Sequence, residues 1–105
     1  MGFQQTSKNV KIVDGHILSA SCQDRDGNWR DSSIDLDQII GNEDGSFTWG
    51  GEYFSQSAQG IQLKEEYGDL AIVGSLQQRD GNWTDDQSIS LSERIENQNG
   101  ELVFI

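Results

Sequence analysis

A chain of 105 residues fits one ordinary domain with a modest core, and with 33% hydrophobic residues its folding must rest on patterning rather than on bulk composition. Its 18 acidic against 7 basic side chains give a formal charge of -11. That field repels phosphate polymers and anionic headgroups, which sets nucleic acid and membrane surfaces aside as partners.

The opening run MGFQQTSKNVK has no apolar core of the secretory kind, and no stretch approaches the roughly 20 apolar residues of a membrane span. Read as a native start, it predicts a protein made and kept in the cytosol, with non-classical export left open. Val10 and Ile12 then alternate with polar residues, as one face of a strand does, and Asp14-Gly15 supplies the positive-φ pair of a tight hairpin. The return strand runs through Leu18, Ala20 and Cys22. Cys22 is the only cysteine, so no internal disulfide forms, which agrees with a reducing compartment; its expected role is that of a small core hydrophobe. A second turn at Asp26-Gly27 leads into a strand starting at Trp29. Asp35 and Gln38 have capping-box spacing, and Leu36, Ile39 and Ile40 follow on one face of a helical turn or two. Glu43-Asp44-Gly45 closes that element, a short strand spans Phe47 to Trp49, and Gly50-Gly51 forms a flexible joint without proline.

The rest of the chain repeats this order. Phe3-Gln4-Gln5-Thr6-Ser7 faces Phe54-Ser55-Gln56-Ser57-Ala58, and Arg25-Asp26-Gly27-Asn28-Trp29 recurs letter for letter as Arg79-Asp80-Gly81-Asn82-Trp83. Ile34, Leu36, Ile40, Asn42 and Gly45 answer to Ile89, Leu91, Ile95, Asn97 and Gly100, and Trp49 to Phe104. Two sequence repeats, 1–50 and 51–105, therefore build the single domain. In the second, the tight turn is replaced by Glu66-Tyr67-Gly68, Ser90 and Glu93 hold the capping positions, and the strand after the Asp-Gly turn starts at Trp83.

Other chemistry finds little support. Asp24, Asp26, Asn28 and Asp35 imitate a calcium loop loosely, but Trp29 stands where its glycine belongs. His16 stands by itself beside a turn, giving no metal cluster and no catalytic set. Paired carboxylates are unavoidable with so many acids, so they do not argue for glycoside hydrolysis. The Asn82-Trp83-Thr84 sequon is idle without secretion. The sequence predicts neither an enzyme nor a cofactor.

The run Ser32-Ser33-Ile34-Asp35-Leu36, then Ile40, Asn42, Asp44-Gly45-Ser46 and Trp49, with Phe3-Gln4-Gln5-Thr6 and Glu96-Asn97-Gln98-Asn99-Gly100, resembles cyanovirin-N and its homologues over essentially the whole chain. The resemblance implies an all-β fold of two pseudosymmetric halves, each a three-stranded antiparallel sheet plus a β-hairpin, with segments exchanged between repeats. One half would hold 1–39 with 94–105, and the other 40–93. It also implies a lectin that binds mannose oligosaccharides or high-mannose glycans, with terminal α(1→2)-linked mannose preferred. The prototype's two disulfides fall at Ser7, Cys22, Ala58 and Leu76, so neither forms here, as in the disulfide-free fungal members. Without the prototype's hinge proline a monomer is expected, a domain-swapped dimer remaining open.

Sugar recognition needs hydrogen-bonding side chains converging on adjacent hydroxyls. The family fold would converge Gln5, Thr6, Gln23, Arg25, Glu96, Asn97, Gln98 and Asn99 as the favoured site, with Glu96 paired across it to Arg25. Matching positions in the other half are Asn42, Glu43, Asp44, Glu52, Tyr53, Gln56, Ser57, Gln77 and Arg79. There Gly41 replaces a carboxylate of the prototype, and Tyr53 is bulkier than its counterpart. Each residue also has a plain reading: Asn-x-Asx-Gly at 42–45 and 97–100 is ordinary turn chemistry, and Trp29 and Trp83 are expected in core or hairpin packing rather than against sugar. The alternative function is a structural or protein-interaction module of this fold without sugar binding.

Overall fold

The computed structural model describes residues 3–66 and 69–105. Ten strands follow in chain order: β1 (Ser7–Val13), β2 (Ile17–Gln23), β3 (Trp29–Asp35), β4 (Ile40–Glu43), β5 (Ser46–Trp49), β6 (Ala58–Glu66), β7 (Asp69–Leu76), β8 (Gln87–Ser90), β9 (Ile95–Gln98) and β10 (Glu101–Phe104). They form two three-stranded sheets, β1-β2-β3 and β6-β7-β8, and two hairpins, β4-β5 and β9-β10, every pair antiparallel.

Turn chemistry sets this topology. Asp14 (φ 55°) and Gly15 (φ 78°) close the β1-β2 hairpin in the left-handed conformations that suit the strand twist, and Asp44-Gly45 and Asn99-Gly100 do the same for the two small hairpins. Asn9 (φ 55°) bulges β1 and Gly60 (φ 68°) bulges β6, so the duplication extends to the irregularities. The expected longer turn in the second copy falls on Tyr67 and Gly68, outside the described residues.

Segments cross between the copies. The β9-β10 hairpin, from the second copy, packs on β3 and on the Phe3–Thr6 turn of the first, while β4-β5 packs on β8 and on the Phe54–Ser57 turn. Beneath both runs one contiguous core. The matched aromatics Phe3 and Phe54 are buried with Leu18, Ile72, Leu36, Leu91, Ile40 and Ile95, each such side chain contributing about 1.5–3 kcal/mol. Cys22 is fully buried with the Ser7 hydroxyl 3.4 Å from its sulfur, and the register sets Ser7 opposite Cys22 and Ala58 opposite Leu76. Trp49 stacks on Phe104, ring centroids 5.8 Å apart, so these repeat-related residues meet.

Five expectations need correction. Residues Leu36–Gln38 and Leu91–Glu93 form single 3₁₀ turns, since only four residues separate the end of β3 from the start of β4. No reciprocal capping box forms: Asp35 accepts from the Asp37 amide, and the Ser90 side chain caps nothing. The strand after the second Asp-Gly turn is β8, starting at Gln87, because Trp83 makes only an isolated bridge to Gln77. Of the core or hairpin packing expected for Trp29 and Trp83, only the core half fails: they are 45% and 43% exposed, with Lys8 Nζ 4.2 Å above the Trp29 ring, while Trp29 pairs with Gln23 and Trp83 bridges Gln77. His16 is not isolated, because its Nδ1 lies 2.8 Å from Asp35 Oδ1 and 3.5 Å from Asp37 Oδ2. The hydrogen bond to Asp35 raises the imidazole above its ordinary pKa and lowers that of the carboxyl.

The Gly50-Gly51 joint is also anchored. The Gly50 amide donates to Ile39 O at 2.8 Å, and a Cβ on Gly51 would stand 2.7 Å from Gly41 Cα. Gly41 lies on the other side of the same close contact, where its own Cβ would meet the Glu52 amide and Gly51 Cα at 3.0 Å. Gly51→Ala should therefore destabilise the protein by about 1–3 kcal/mol through backbone overpacking, measured by urea denaturation; an unchanged midpoint would show that the Gly41–Gly51 contact yields freely.

Candidate functional site

The site is assembled around one side chain, Asn97, on β9. Its amide nitrogen donates to Thr6 Oγ1 at 2.9 Å and to Gln23 O at 2.9 Å, and its oxygen accepts from the Gly100 amide at 2.9 Å. Asn99, at the hairpin tip, accepts from the Arg25 amide at 3.0 Å. These bonds draw together the Phe3–Thr6 turn, the end of β2 and the tip of β9-β10. Between them lies an open cleft of about 370 Å³ lined by Thr6, Gln23, Asp24, Arg25, Asn97, Gln98 and Asn99. A neighbouring cleft of similar size shares Gln98 and Asn99 and runs on to Arg30, Asp31, Gly100 and Glu101.

Six of the predicted residues, Thr6, Gln23, Arg25, Asn97, Gln98 and Asn99, line this cleft, whereas Gln5 and Glu96 do not. The expected pairing of Glu96 with Arg25 does not form. Glu96 Oε1 instead accepts from Gln98 Nε2 at 3.2 Å, and among the described residues the Arg25 side chain has no ion-pair partner. Asp24 is the residue that the sequence reading missed. Its side chain is 2% exposed and spends its oxygens on the amides of Asp26 (3.0 Å) and Asn28 (2.9 Å) and on Arg30 Nε (2.7 Å). The Arg30 guanidinium, more than the amides, holds this carboxyl below the usual carboxylate range. A buried acid thus stiffens the turn that carries Arg25. Its only signal in the sequence is Asp24 with Asp26 and Asn28, an Asx-turn pattern that was considered for calcium instead.

The second cluster repeats the framework. Asn42 donates to Ser57 Oγ at 2.8 Å and Gln77 O at 2.8 Å and accepts from the Gly45 amide at 2.7 Å, while Asp44 accepts from the Arg79 amide at 2.9 Å. Its electrostatics differ, because Arg79 Nη2 pairs with Glu43 Oε1 at 2.7 Å. Asn42, Glu43, Asp44, Ser57, Gln77 and Arg79 are thereby brought together. No side-chain hydrogen bond among the described residues ties Glu52, Tyr53 or Gln56 to them, and the Tyr53 amide is held by Asp37 O.

The model of the CVNH domain matches residues 3–103. The chain belongs to the CVNH family. A cyanovirin-N homologue from Tuber borchii is 39% identical over 105 residues, covering 99% of each chain. The CVNH structure of Gibberella zeae superposes with a TM-score of 0.88 at 43% identity, covering 97% of this chain and 95% of that one. Microvirin, solved as a complex with mannobiose, gives 0.86 at 31% identity, covering 99% and 98%. Within the CVNH framework this chain is one that forms no internal disulfide, having a single, buried cysteine.

Two outcomes test the framework. Asn97→Ala leaves the Gly100 amide and the Gln23 carbonyl without their partner and should cost about 1–3 kcal/mol; a urea midpoint equal to that of the parent would make the amide dispensable. Because the folded-state pKa of Asp24 lies below its unfolded value, its contribution is present above about pH 4 and is lost as pH falls through the folded value. Asp24→Asn should therefore lower stability at neutral pH and flatten the acid limb of the stability profile; parallel acid limbs in the two proteins would assign that loss to other carboxylates.

Proposed function

We propose that this chain is a lectin that binds mannose-rich glycans, with terminal α(1→2)-linked mannose the preferred unit, through the cleft between Thr6 and Asn99. The observation that carries this reading is the cleft itself, where side chains from three distant segments meet with polar groups to spare. The Arg25 guanidinium, the Gln98 carbonyl and the Asn99 amide nitrogen stand in a solvent-open cleft, offering the mixed donors and acceptors that vicinal hydroxyls require. Membership of the CVNH family and the mannobiose complex of microvirin support the choice of sugar. Nothing in this reading calls for covalent chemistry. The cluster around Asn42 is the weaker candidate, since its guanidinium is already engaged by Glu43.

The competing reading, a structural or interaction module without sugar binding, draws on the way Asn97 and Asn42 spend their amides identically on the fold. Titration with α(1→2)-dimannose followed by amide NMR separates the two. Shifts clustered at residues 5–7, 23–25 and 96–99 are expected, and a flat response would favour the module. Arg25→Ala should weaken binding by about tenfold, the worth of one charge-assisted hydrogen bond, while leaving the urea midpoint unchanged. Equal affinity in this variant would remove Arg25 from the site.

A further inference from the structure

His16, Asp35 and Asp37 form a cluster apart from the cleft, and none of the three lines it. The imidazole Nδ1 lies 2.8 Å from Asp35 Oδ1 and 3.5 Å from Asp37 Oδ2, and the three ligand atoms fall within 4.8 Å of one another. Around a tetrahedral ion with bonds of about 2.1 Å, ligand atoms stand roughly 3.4 Å apart, so small side-chain rotations suffice to bring this set onto one centre. A single N–H on Nδ1 can serve only one of the two carboxylates that face it. A cation in its place would serve both.

Two further observations mark this as a prepared set rather than an accident of acidic composition. The first is that both carboxylates are already held in place by donors other than His16. The Asp37 amide donates to Asp35 Oδ1 at 3.0 Å, the Ser55 amide donates to Asp37 Oδ1 at 3.0 Å, and the Ser55 hydroxyl donates to Asp37 Oδ2. Outer-shell donors of this kind fix the direction in which a metal ligand points. The second is that the fold does not need the trio. In the second copy the matching positions are Leu70, Ser90 and Ser92, and the same strand and 3₁₀ turn form there with the two serine hydroxyls 3.3 Å apart. All three ligating residues occur together in one copy, and none of them in the other.

We propose that His16 Nδ1 and one oxygen each of Asp35 and Asp37 bind a divalent ion of the zinc type, with solvent completing the coordination. Side-chain exposures of 28%, 36% and 10% leave an open side for entry and for that solvent molecule. The ring binds as the neutral Nε2–H tautomer, so an imidazolium gives its Nδ1 proton to water, whereas a neutral Nδ1–H ring moves that proton to Nε2 with no net release. One imidazole among the ligands favours zinc over calcium or magnesium, which prefer all-oxygen sets. The ion would tie the β1-β2 turn to the segment whose Asp37 also holds Ser55 of the second copy, so it would stabilise the folded form by mass action.

The test is isothermal titration of the intact protein with zinc chloride, with the His16 imidazole nitrogen followed by NMR and the Tm by calorimetry. One equivalent should bind, shift the His16 Nδ1 resonance and raise the Tm. His16→Leu copies the residue of the second repeat, so it should fold, and it should lose more than the roughly 10–100-fold that removal of an outer-shell partner costs. Asp35→Asn should fall in the same range. Zinc binding unchanged in His16→Leu would place the ion on surface carboxylates and overturn the proposal. Failure of the parent protein to bind, or equal binding of magnesium, would overturn it as well.

Discussion

The fold depends on a side-chain amide used in the same way twice. A two-stranded hairpin is marginal alone, and neither β4-β5 nor β9-β10 lies on the sheet of its own copy. Asn97 and Asn42 clamp these hairpins in place, each joining the hydroxyl of a 3₁₀ turn and the carbonyl at a strand end to the amide of a following glycine. Both amide ends are engaged, so a residue with only one function cannot replace asparagine. The cleft follows from this clamp, because the clamp is what brings Thr6 and Gln23 beside Gln98 and Asn99.

On a shared backbone the two copies have acquired different charges. Asp24 and Arg30 pair in the first, whereas Gln78 and Thr84 stand at those positions in the second. Arg79 is paired with Glu43 in the second, whereas Gln98 replaces that acid in the first and turns to Glu96. An exposed ion pair is worth only about 0–1 kcal/mol. The exposed Arg79–Glu43 pair therefore bears little on stability, unlike the pair made by the buried Asp24, and its effect falls on the groups each hairpin tip offers to solvent.

Much of this was legible in the letters. Three Asx-Gly pairs announced the left-handed turns they form, the repeat announced the paired sheets, strand alternation placed Leu18 and its counterpart Ile72 inside, and helical spacing did so for Leu36 and Leu91. What escaped was set by distance and geometry. Asparagine at 97 served equally as a turn residue or a sugar contact until Thr6, some ninety residues away, was seen to accept its amide. His16 looked isolated because its partners lie nineteen and more residues further on. The helical period at Leu36–Ile40 was real, but four residues between strands can hold only a tightened turn. Around Trp83 the regular ladder is interrupted where the Thr84 hydroxyl and carbonyl accept from Leu76 and Ser75 of β7, and it resumes at Gln87.

The glycines at the hairpin tips tie the history of the two repeats together. Gly100 leaves no room for a methyl group beneath Arg30, where an added Cβ would lie 2.6 Å from the arginine Cδ, and Gly45 is similarly covered by Thr84 and Gln78. Each tip is thus shaped by a residue encoded in the other repeat. A chimera that grafts one repeat from a relative onto this chain would bring together seams that never adapted to each other, and a gene holding a single repeat would encode a sheet whose own hairpin is cut to fit someone else.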